Sequence, residues 1–160
     1  MKKLKRQLMA HMIDAALPSE SSTDYVWLGD DLEEFNVEMN GNIETKNNIK
    51  GKTSVTLDSY QPQASAEPYY AVEGDHLFER LQGIIDGRLT LDDLNTTVVE
   101  VHLWEPEDGS YVAYQESAII EVSSYGGDHT GYQIPFNVHY TGNRVKGKFS
   151  LDSMTFTQTA

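Results

Sequence analysis

The sequence predicts a mainly β fold of the α+β class: a β-sandwich or incomplete barrel with one packed α-helix, a long loop and an N-terminal arm. Most apolar residues alternate with polar ones, the period of a half-buried strand, and only one segment has the helical period. The chain has no cysteine, so no disulfides hold it together. Its 160 residues, 39% of them hydrophobic, suffice for one hydrophobic core but not comfortably for two.

The N-terminal region differs in charge from the rest of the chain. Residues 1–13 contain Lys2, Lys3, Lys5 and Arg6 and no acidic residue, whereas the whole chain has a net charge of −13. Residues 17–23 are small and polar and include a proline, which is typical of a linker. We therefore predict a basic arm and linker over residues 1–23, ordered only against a neighbouring molecule, and a single β domain over residues 24–160.

An acidic segment runs through the first predicted strands. Residues 14–44 hold nine carboxylates and no Lys or Arg, and residues 34–40 alternate as a half-buried strand does. Asn40 and Gly41 signal a turn, unless a bulge carries the strand on through residues 43–45. A turn at residues 47–51 is expected to lead into a strand rich in β-branched residues. The predicted strands of this region are residues 25–28, 33–40 and 53–57.

A long loop is predicted over residues 58–71. It contains two prolines and three tyrosines. Loops of this length in a compact domain are usually functional, and tyrosines are enriched at protein interfaces. We therefore expect this loop to contact other proteins.

The one predicted helix follows Asp75, whose side chain is suited to cap the first turn. Gly87 is expected to end it. The apolar residues between them fall on one face of a helix: Leu77, Phe78, Leu81, Ile84 and Ile85. This face is expected to pack across a sheet.

Strands dominate the second half of the chain. The Gly-rich residues 126–131 are predicted to be a hairpin tip, because they lack the Lys-Ser/Thr ending of a phosphate loop and precede a strand. Residues 141–143 are expected to turn the chain, and a change of phase at residues 151–154 predicts a bulge. The alternation predicts strands over residues 97–104, 111–125, 133–140 and 145–156.

The sequence contains no recognisable catalytic or metal-binding motif. His102 and His139 could meet across strands, but ordinary strand-surface histidines are the simpler interpretation. Residues 30–34 do not fit an EF-hand loop. Paired acids, as at residues 30–31 and 105–108, could serve in glycoside hydrolysis, but we expect them in solvated turns where neither pKa is raised. We therefore predict no enzymatic activity, no cofactor and no bound metal.

The net negative charge argues against a nucleic-acid-binding function, because affinity for phosphates depends on Lys and Arg. Two interpretations of the basic stripe near the C-terminus stay open. It protects a sheet edge, or it meets the acidic surface of an identical neighbour. The basic groups outside the arm are Lys46, Lys50 and Lys52, and the stripe Arg144, Lys146 and Lys148.

Three segments of the sequence resemble the tail tube, or major tail, proteins of long-tailed bacteriophages and prophages. Residues 27–49 read WLGDDLEEFNVEMNGNIETKNNI, residues 51–55 read GKTSV, and residues 63–70 read QASAEPYY. The helix and the closing hairpins follow in the expected order, so the resemblance covers roughly the whole body from residue 24 onward.

The resemblance implies a structural subunit that forms hexameric rings, which stack into a hollow tube for genome passage. In that family each subunit contributes strands to a continuous inner barrel, and loops and an N-terminal arm bridge subunits and rings. The implied partners are copies of the chain and other tail proteins, namely the tape measure, the tail terminator and the baseplate. The implied location is the virion tail, after assembly in the host cytoplasm, with no membrane contact and no specific DNA binding.

Under this hypothesis an acidic strand face lines the channel, where it keeps phosphates from sticking. The candidate lining residues are Glu34, Asn36, Glu38, Asn40, Thr56 and Asp58, with Glu100, His102, Ser150 and Asp152 as the alternative set. The candidate subunit contacts are Lys2, Lys3, Lys5, Arg6, Tyr60, Pro62, Tyr69 and Tyr70.

Two other functions are compatible with the sequence. A carbohydrate- or protein-binding β-sandwich would use Trp27, Trp104 and the tyrosines as stacking platforms. A small hydrolase would use one pair of acids. Neither explains the basic arm together with the acid-only segment, and for this reason we prefer the tail tube hypothesis.

Overall fold

The computed structural model describes residues 1–30 and 32–159. Strands form 53% of the chain and helical turns 12%, which confirms the predicted mainly β, α+β class. The strands are β1 Met9–Asp14, β2 Tyr25–Leu28, β3 Val37–Glu38, β4 Gly41–Asn47, β5 Thr53–Tyr60, β6 Gln63–Ala66, β7 Asn95–Glu107, β8 Ser110–Val122, β9 Gly126–Asp128, β10 Gly131–Gln133, β11 Phe136–Ser150 and β12 Thr155–Gln158. One α-helix, α1 His76–Gly87, and two short 3-10 helices, Arg6–Leu8 and Leu91–Leu94, complete the described elements.

Eight strands form one antiparallel sheet in the order β2-β1-β7-β8-β11-β6-β3. The eighth, β12, pairs with the far end of β11. The described strands do not close into a barrel, because β2 and β3 are both free edges. Two hairpins, β4-β5 and β9-β10, stand apart from this sheet. The architecture is therefore the expected sandwich-like, incomplete barrel.

Hydrophobic clusters lie on both faces of the sheet. Val98 belongs to the cluster beneath α1, whereas its neighbour Val99 belongs to the cluster beneath β12, as the alternation of a strand requires. In the second cluster the rings of Tyr25 on β2 and Phe149 on β11 lie 5.6 Å apart. Three strands separate β2 from β11 in the sheet, so the sheet must curl strongly to bring these rings together.

The helix forms where the sequence predicts it. The Asp75 side chain accepts a hydrogen bond from the Leu77 amide, which makes Asp75 the N-cap. The predicted stripe packs on the sheet, and Leu77 and Leu81 are fully buried. At the C-terminus it is Arg88, at φ 49°, that takes the left-handed capping conformation, while Gly87 is the last helical residue.

A buried arginine fixes the helix to two neighbouring segments. Arg80 is 3% exposed, and its guanidinium donates to the carbonyl oxygens of Ala16, Asp93 and Asn95. These carbonyls belong to the segment after β1 and the segment leading into β7. Arg80 therefore joins three parts of the chain around one buried charge, and the sequence pattern gives no sign of this role.

The prediction of a basic arm is wrong for residues 9–14. This segment is β1, which pairs with both β2 and β7 inside the sheet. Ala10 and Met12 face one cluster and Ile13 faces the other, and all are buried. The burial of both faces produces an apolar run without alternation, and the preceding basic residues made that run resemble an amphipathic arm.

Other predicted boundaries also differ from the structure. In the segment predicted as a strand over residues 33–40, only Val37–Glu38 is a strand. The predicted loop over residues 58–71 contains the end of β5 and all of β6. Residues 141–143 are an irregularity inside the continuous β11, and residues 151–154 are a turn. The tip at residues 126–131 is a hairpin, as predicted.

Candidate functional site

Hairpin β4-β5 projects from the body without contributing to its core. Every residue of both strands is exposed. Ile43 pairs with Leu57 and Thr45 pairs with Val55, and a bulge follows Asn42. At the tip the side-chain oxygen of Asn48 accepts hydrogen bonds from two amide groups, at 2.9 and 3.0 Å. The hairpin is thus well ordered by its own hydrogen bonds although nothing packs on it.

The two faces of this hairpin differ in character. Ile43, Val55 and Leu57 lie on one face and are 63%, 64% and 46% exposed. The other face carries polar pairs such as Glu44 with Thr56. The alternation that normally marks a half-buried strand is therefore present, but its apolar face is open to solvent. We call this face, Ile43, Val55 and Leu57, the apolar hairpin face.

The base of the hairpin is held by a polar contact. The Asn40 amide donates to the Gln61 carbonyl oxygen at 3.1 Å. Asn40 has φ 48°, a left-handed conformation that Asn tolerates better than most residues. Met39 and Tyr60 flank this junction and are 53% and 52% exposed. The apolar surface of the hairpin thus continues onto its base.

Three of the six predicted lining residues come together at the β3 edge of the sheet. Glu34, Asn36 and Glu38 line one shallow depression together with Ser65 and Glu67. The Asn36 amide donates to the Glu34 carboxylate at 2.5 Å. We call these five residues the acidic edge. Asp31, which belongs to the same acidic segment, lies outside the described residues.

The acidic edge continues into a polar network across the sheet. Ser65 donates to Asn137, and the Asn137 amide donates to the Glu121 carboxylate at 2.8 Å. The hydrogen bonds from Asn137 and His139 lower the pKa of Glu121. This carboxylate therefore stays charged well into the acidic range, and the surface it belongs to stays hydrated.

The other predicted lining residues lie elsewhere. Thr56 and Asp58 are on the projecting strand β5, and Asn40 is at the hairpin base. In the alternative set, Glu100 is engaged in an ion pair and His102 stacks on Trp104 with the ring centroids 4.4 Å apart. Ser150 ends β11, and Asp152 is exposed in the following turn.

The predicted contact residues divide into accessible and inaccessible ones. Lys2, Lys3, Lys5 and Tyr60 are exposed, and Pro62 and Tyr70 are half-buried. Arg6 is exposed, but its guanidinium donates to the carbonyl oxygens of Met9 and Phe35. The prediction for Tyr69 is wrong, because this residue is 6% exposed, packs on Phe136 and donates to Asp75.

A charged cluster that the sequence did not predict occupies the open end of the barrel. Arg144 bonds Glu100 at 2.9 Å and Glu116 at 3.1 Å, and its guanidinium lies 4.6 Å from the Tyr114 ring centroid. Lys148 lies 3.6 Å from Glu107. Arg144 and Lys148 of the basic stripe thus pair with acids of the same chain. Only the strand register, invisible in the sequence, brings these groups together.

Burial controls the titration of the histidine beside this cluster. His11 faces Glu100 across the β1-β7 pair and contacts Phe35 edge-on at 4.8 Å. Burial lowers its pKa to about 4; Glu100 opposes the shift, while Arg6 and Arg144 add to it. The imidazole is therefore neutral at pH 7.

No metal-binding cluster of three or more His, Asp or Glu residues occurs in the described part of the chain. Among the same residues, no helix has the length and apolarity to cross a membrane. Trp104 has one ring face against His102, whereas Trp27 on β2 is 46% exposed. The sequence matches no protein-family model and no curated protein.

Proposed function

We propose that this chain is a structural subunit that assembles with copies of itself into rings, which stack into the tube of a phage or prophage tail. The observation that carries the proposal is the apolar hairpin face. Such a face needs a partner, since exposed apolar patches on ordered elements mark interaction sites. The resemblance of the sequence to tail tube proteins supports the same function.

A second copy of the chain is the partner that the charges favour. The hairpin tip carries Lys46, Lys50 and Lys52, with no acid between Glu44 and Asp58. The rest of the chain is strongly acidic, since the net charge is −13. A basic, partly apolar projection and an acidic body complement each other between identical subunits. Contacts of this head-to-tail kind generate rings and stacks rather than closed dimers.

The acidic edge supports the second half of the proposal, a channel for nucleic acid. Glu34, Glu38 and Glu67 place carboxylates on a sheet edge with no basic residue among them. A phosphate polymer close to such a surface is repelled and does not bind. An edge strand is also where neighbouring subunits can continue a sheet, so this location suits a lining shared between copies.

Negative-stain electron microscopy of the concentrated protein tests assembly directly. The proposal predicts rings or tubes with a central hole. Particles that remain monomeric at every concentration would count decisively against it. Symmetry averaging of the rings then gives the number of subunits per ring, which we expect to be six from the family resemblance.

The channel role is tested by reversing charge at the acidic edge. Glu34→Lys combined with Glu38→Lys should leave ring formation intact, because both side chains are exposed. It should impair genome passage, which is measured as infectivity of particles built with the variant. Normal infectivity would remove the acidic edge from the channel, while loss of the rings would place it in a subunit contact.

A further inference from the structure

A cleft of about 920 Å³ opens at the end of the barrel that α1 does not cover. Met9, Phe35 and Val37 contribute apolar walls, and its floor holds the charged cluster of Glu100, Glu116 and Arg144. This volume lies within the range of small-molecule sites, which combine apolar walls with a few convergent polar groups. The assembly proposal gives this cleft no role.

The floor of the cleft contains an orphaned hydroxyl group. Tyr140 is 8% exposed, lines the cleft, and its hydroxyl makes no hydrogen bond with any described residue. A buried hydroxyl without a partner costs free energy, and ligands often satisfy such groups. Because Tyr140 lies on the same floor as Glu100 and Glu116, the orphaned oxygen is beside two carboxylates.

The same floor has more acceptors than donors. Arg144 bonds only one oxygen of each carboxylate, Oε2 of Glu100 and Oε1 of Glu116. No described residue donates to the other oxygen of either carboxylate. Burial, followed by the charges of Glu100 and Glu116, raises the pKa of Tyr140, with Arg144 opposing. The field at the hydroxyl is therefore negative even though Arg144 is close.

We propose that this cleft binds an alkylammonium group. An ammonium carries three donors and no acceptor, which matches the Tyr140 oxygen and the two free carboxylate oxygens. The apolar walls accommodate an aliphatic stem. A ligand carboxylate would instead face Glu100 and Glu116, and His11 is neutral at pH 7 and adds no competing charge. The one opposing charge is Arg6 at the rim, whose guanidinium is held by two carbonyl oxygens.

Binding of 1-aminopentane to the protein, followed by calorimetry or NMR shifts at pH 7, tests the proposal. The matched control ligand is 1-pentanol, which has the same stem without the charge. The cleft should bind the amine saturably and at least about tenfold more tightly than the alcohol, since a hydrogen bond to a charged donor has about this value. Equal binding of amine and alcohol would overturn the proposal.

Three variants locate the site. Tyr140→Phe and Glu116→Gln should each weaken amine binding about tenfold. Tyr140→Phe should not lower the melting temperature, because the lost hydroxyl has no partner. Arg6→Gln should strengthen binding, because it removes the positive charge at the rim. Amine affinity unchanged in both Tyr140→Phe and Glu116→Gln would place the binding elsewhere and contradict the proposal.

The source of the natural ammonium group, a free amine or a lysine of a second copy, is separated by assembly. If the source is a lysine, 1-aminopentane and Tyr140→Phe both slow self-assembly. If it is a free amine, neither does, and amine binding alone is affected. The binding assay itself uses dilute, unassembled protein, so its outcome is independent of the proposed tube function.

Discussion

The body and hairpin β4-β5 follow the same strand pattern but have opposite surroundings. In the body the alternating apolar residues are buried, and Val99, Val101 and Phe149 have no exposed surface. In the hairpin the corresponding residues Val55 and Leu57 are 64% and 46% exposed. An isolated two-stranded hairpin is marginally stable in water. The comparison indicates that the body is stable by itself and that the hairpin acquires its packing from another molecule.

The largest expected difference comes from the same deletion in both regions. Leu81→Ala in the body should lower the free energy of unfolding by about 2–5 kcal/mol, because Leu81 is fully buried. Leu57→Ala in the hairpin should change it by less than about 0.5 kcal/mol. Urea unfolding of dilute protein measures both. Similar losses in the two variants would mean that the hairpin packs on its own body.

A second prediction concerns the buried arginine of the body. Arg80→Met removes the donor of three backbone carbonyl groups and should cost about 2–3 kcal/mol of stability. Arg88→Met is the matched control, because Arg88 is exposed next to the same helix and bonds only the Tyr125 hydroxyl. Unfolding curves that coincide for the two variants would show that Arg80 does not join the helix to its neighbours.

The third prediction is a pH dependence that belongs to the body. The pKa of His11 is lowered to about 4 in the folded chain, so between pH 6.5 and 4 the unfolded chain binds the extra proton. Stability should be full above pH 6.5 and fall by roughly 2–3 kcal/mol as the pH drops to 4. The measurement is the difference between wild type and His11→Gln, with His129→Gln as the exposed control. A difference curve flat over this range would contradict the burial of His11.

The smallest effect is expected at the hairpin tip. Asn48→Ala removes the acceptor of the Lys50 and Lys52 amides and should change global stability by less than about 0.5 kcal/mol. Hydrogen exchange of those two amides should accelerate about fivefold, the value of one hydrogen bond. Amides of the body strands serve as the internal control. Acceleration in the body as well would mean that the hairpin and the body unfold together.

Local patterns in the sequence were enough to predict several elements. The helix was predicted because its cap and its apolar stripe are both local signals, at Asp75 and at Leu77 to Ile85. Strands β7 and β8 were predicted because their alternation is long and clear. The turn between β4 and β5 was predicted from Asn and Gly residues. The mainly β class followed from these elements alone.

The errors occurred where distant contacts decide the structure. Strand β1 is buried on both faces and therefore has no alternation to detect. Tyr69 was expected on the surface because its neighbours are polar, yet Phe136 and Asp75 enclose it. The cluster of Glu100, Glu116 and Arg144 depends on the register of three strands. Neither composition nor spacing contains this register.

The alternation in β5 predicted two faces correctly, but not what covers them. Val55 and Leu57 were expected to pack into the core of the same chain, and the structure leaves them exposed. The polar face with Thr56 is also exposed. A pattern of apolar residues therefore predicts that a face will be buried in the functional state, and that state can be an assembly of several chains.

Sedimentation velocity of two neighbouring variants tests the central claim most directly. Val55→Asp and Thr56→Asp introduce the same charge one residue apart on opposite faces of β5. Wild type and Thr56→Asp should form large assemblies as the concentration rises, whereas Val55→Asp should stay monomeric with an unchanged melting temperature. Assembly of Val55→Asp at the wild-type concentration, or a wild type that never assembles, would contradict the account.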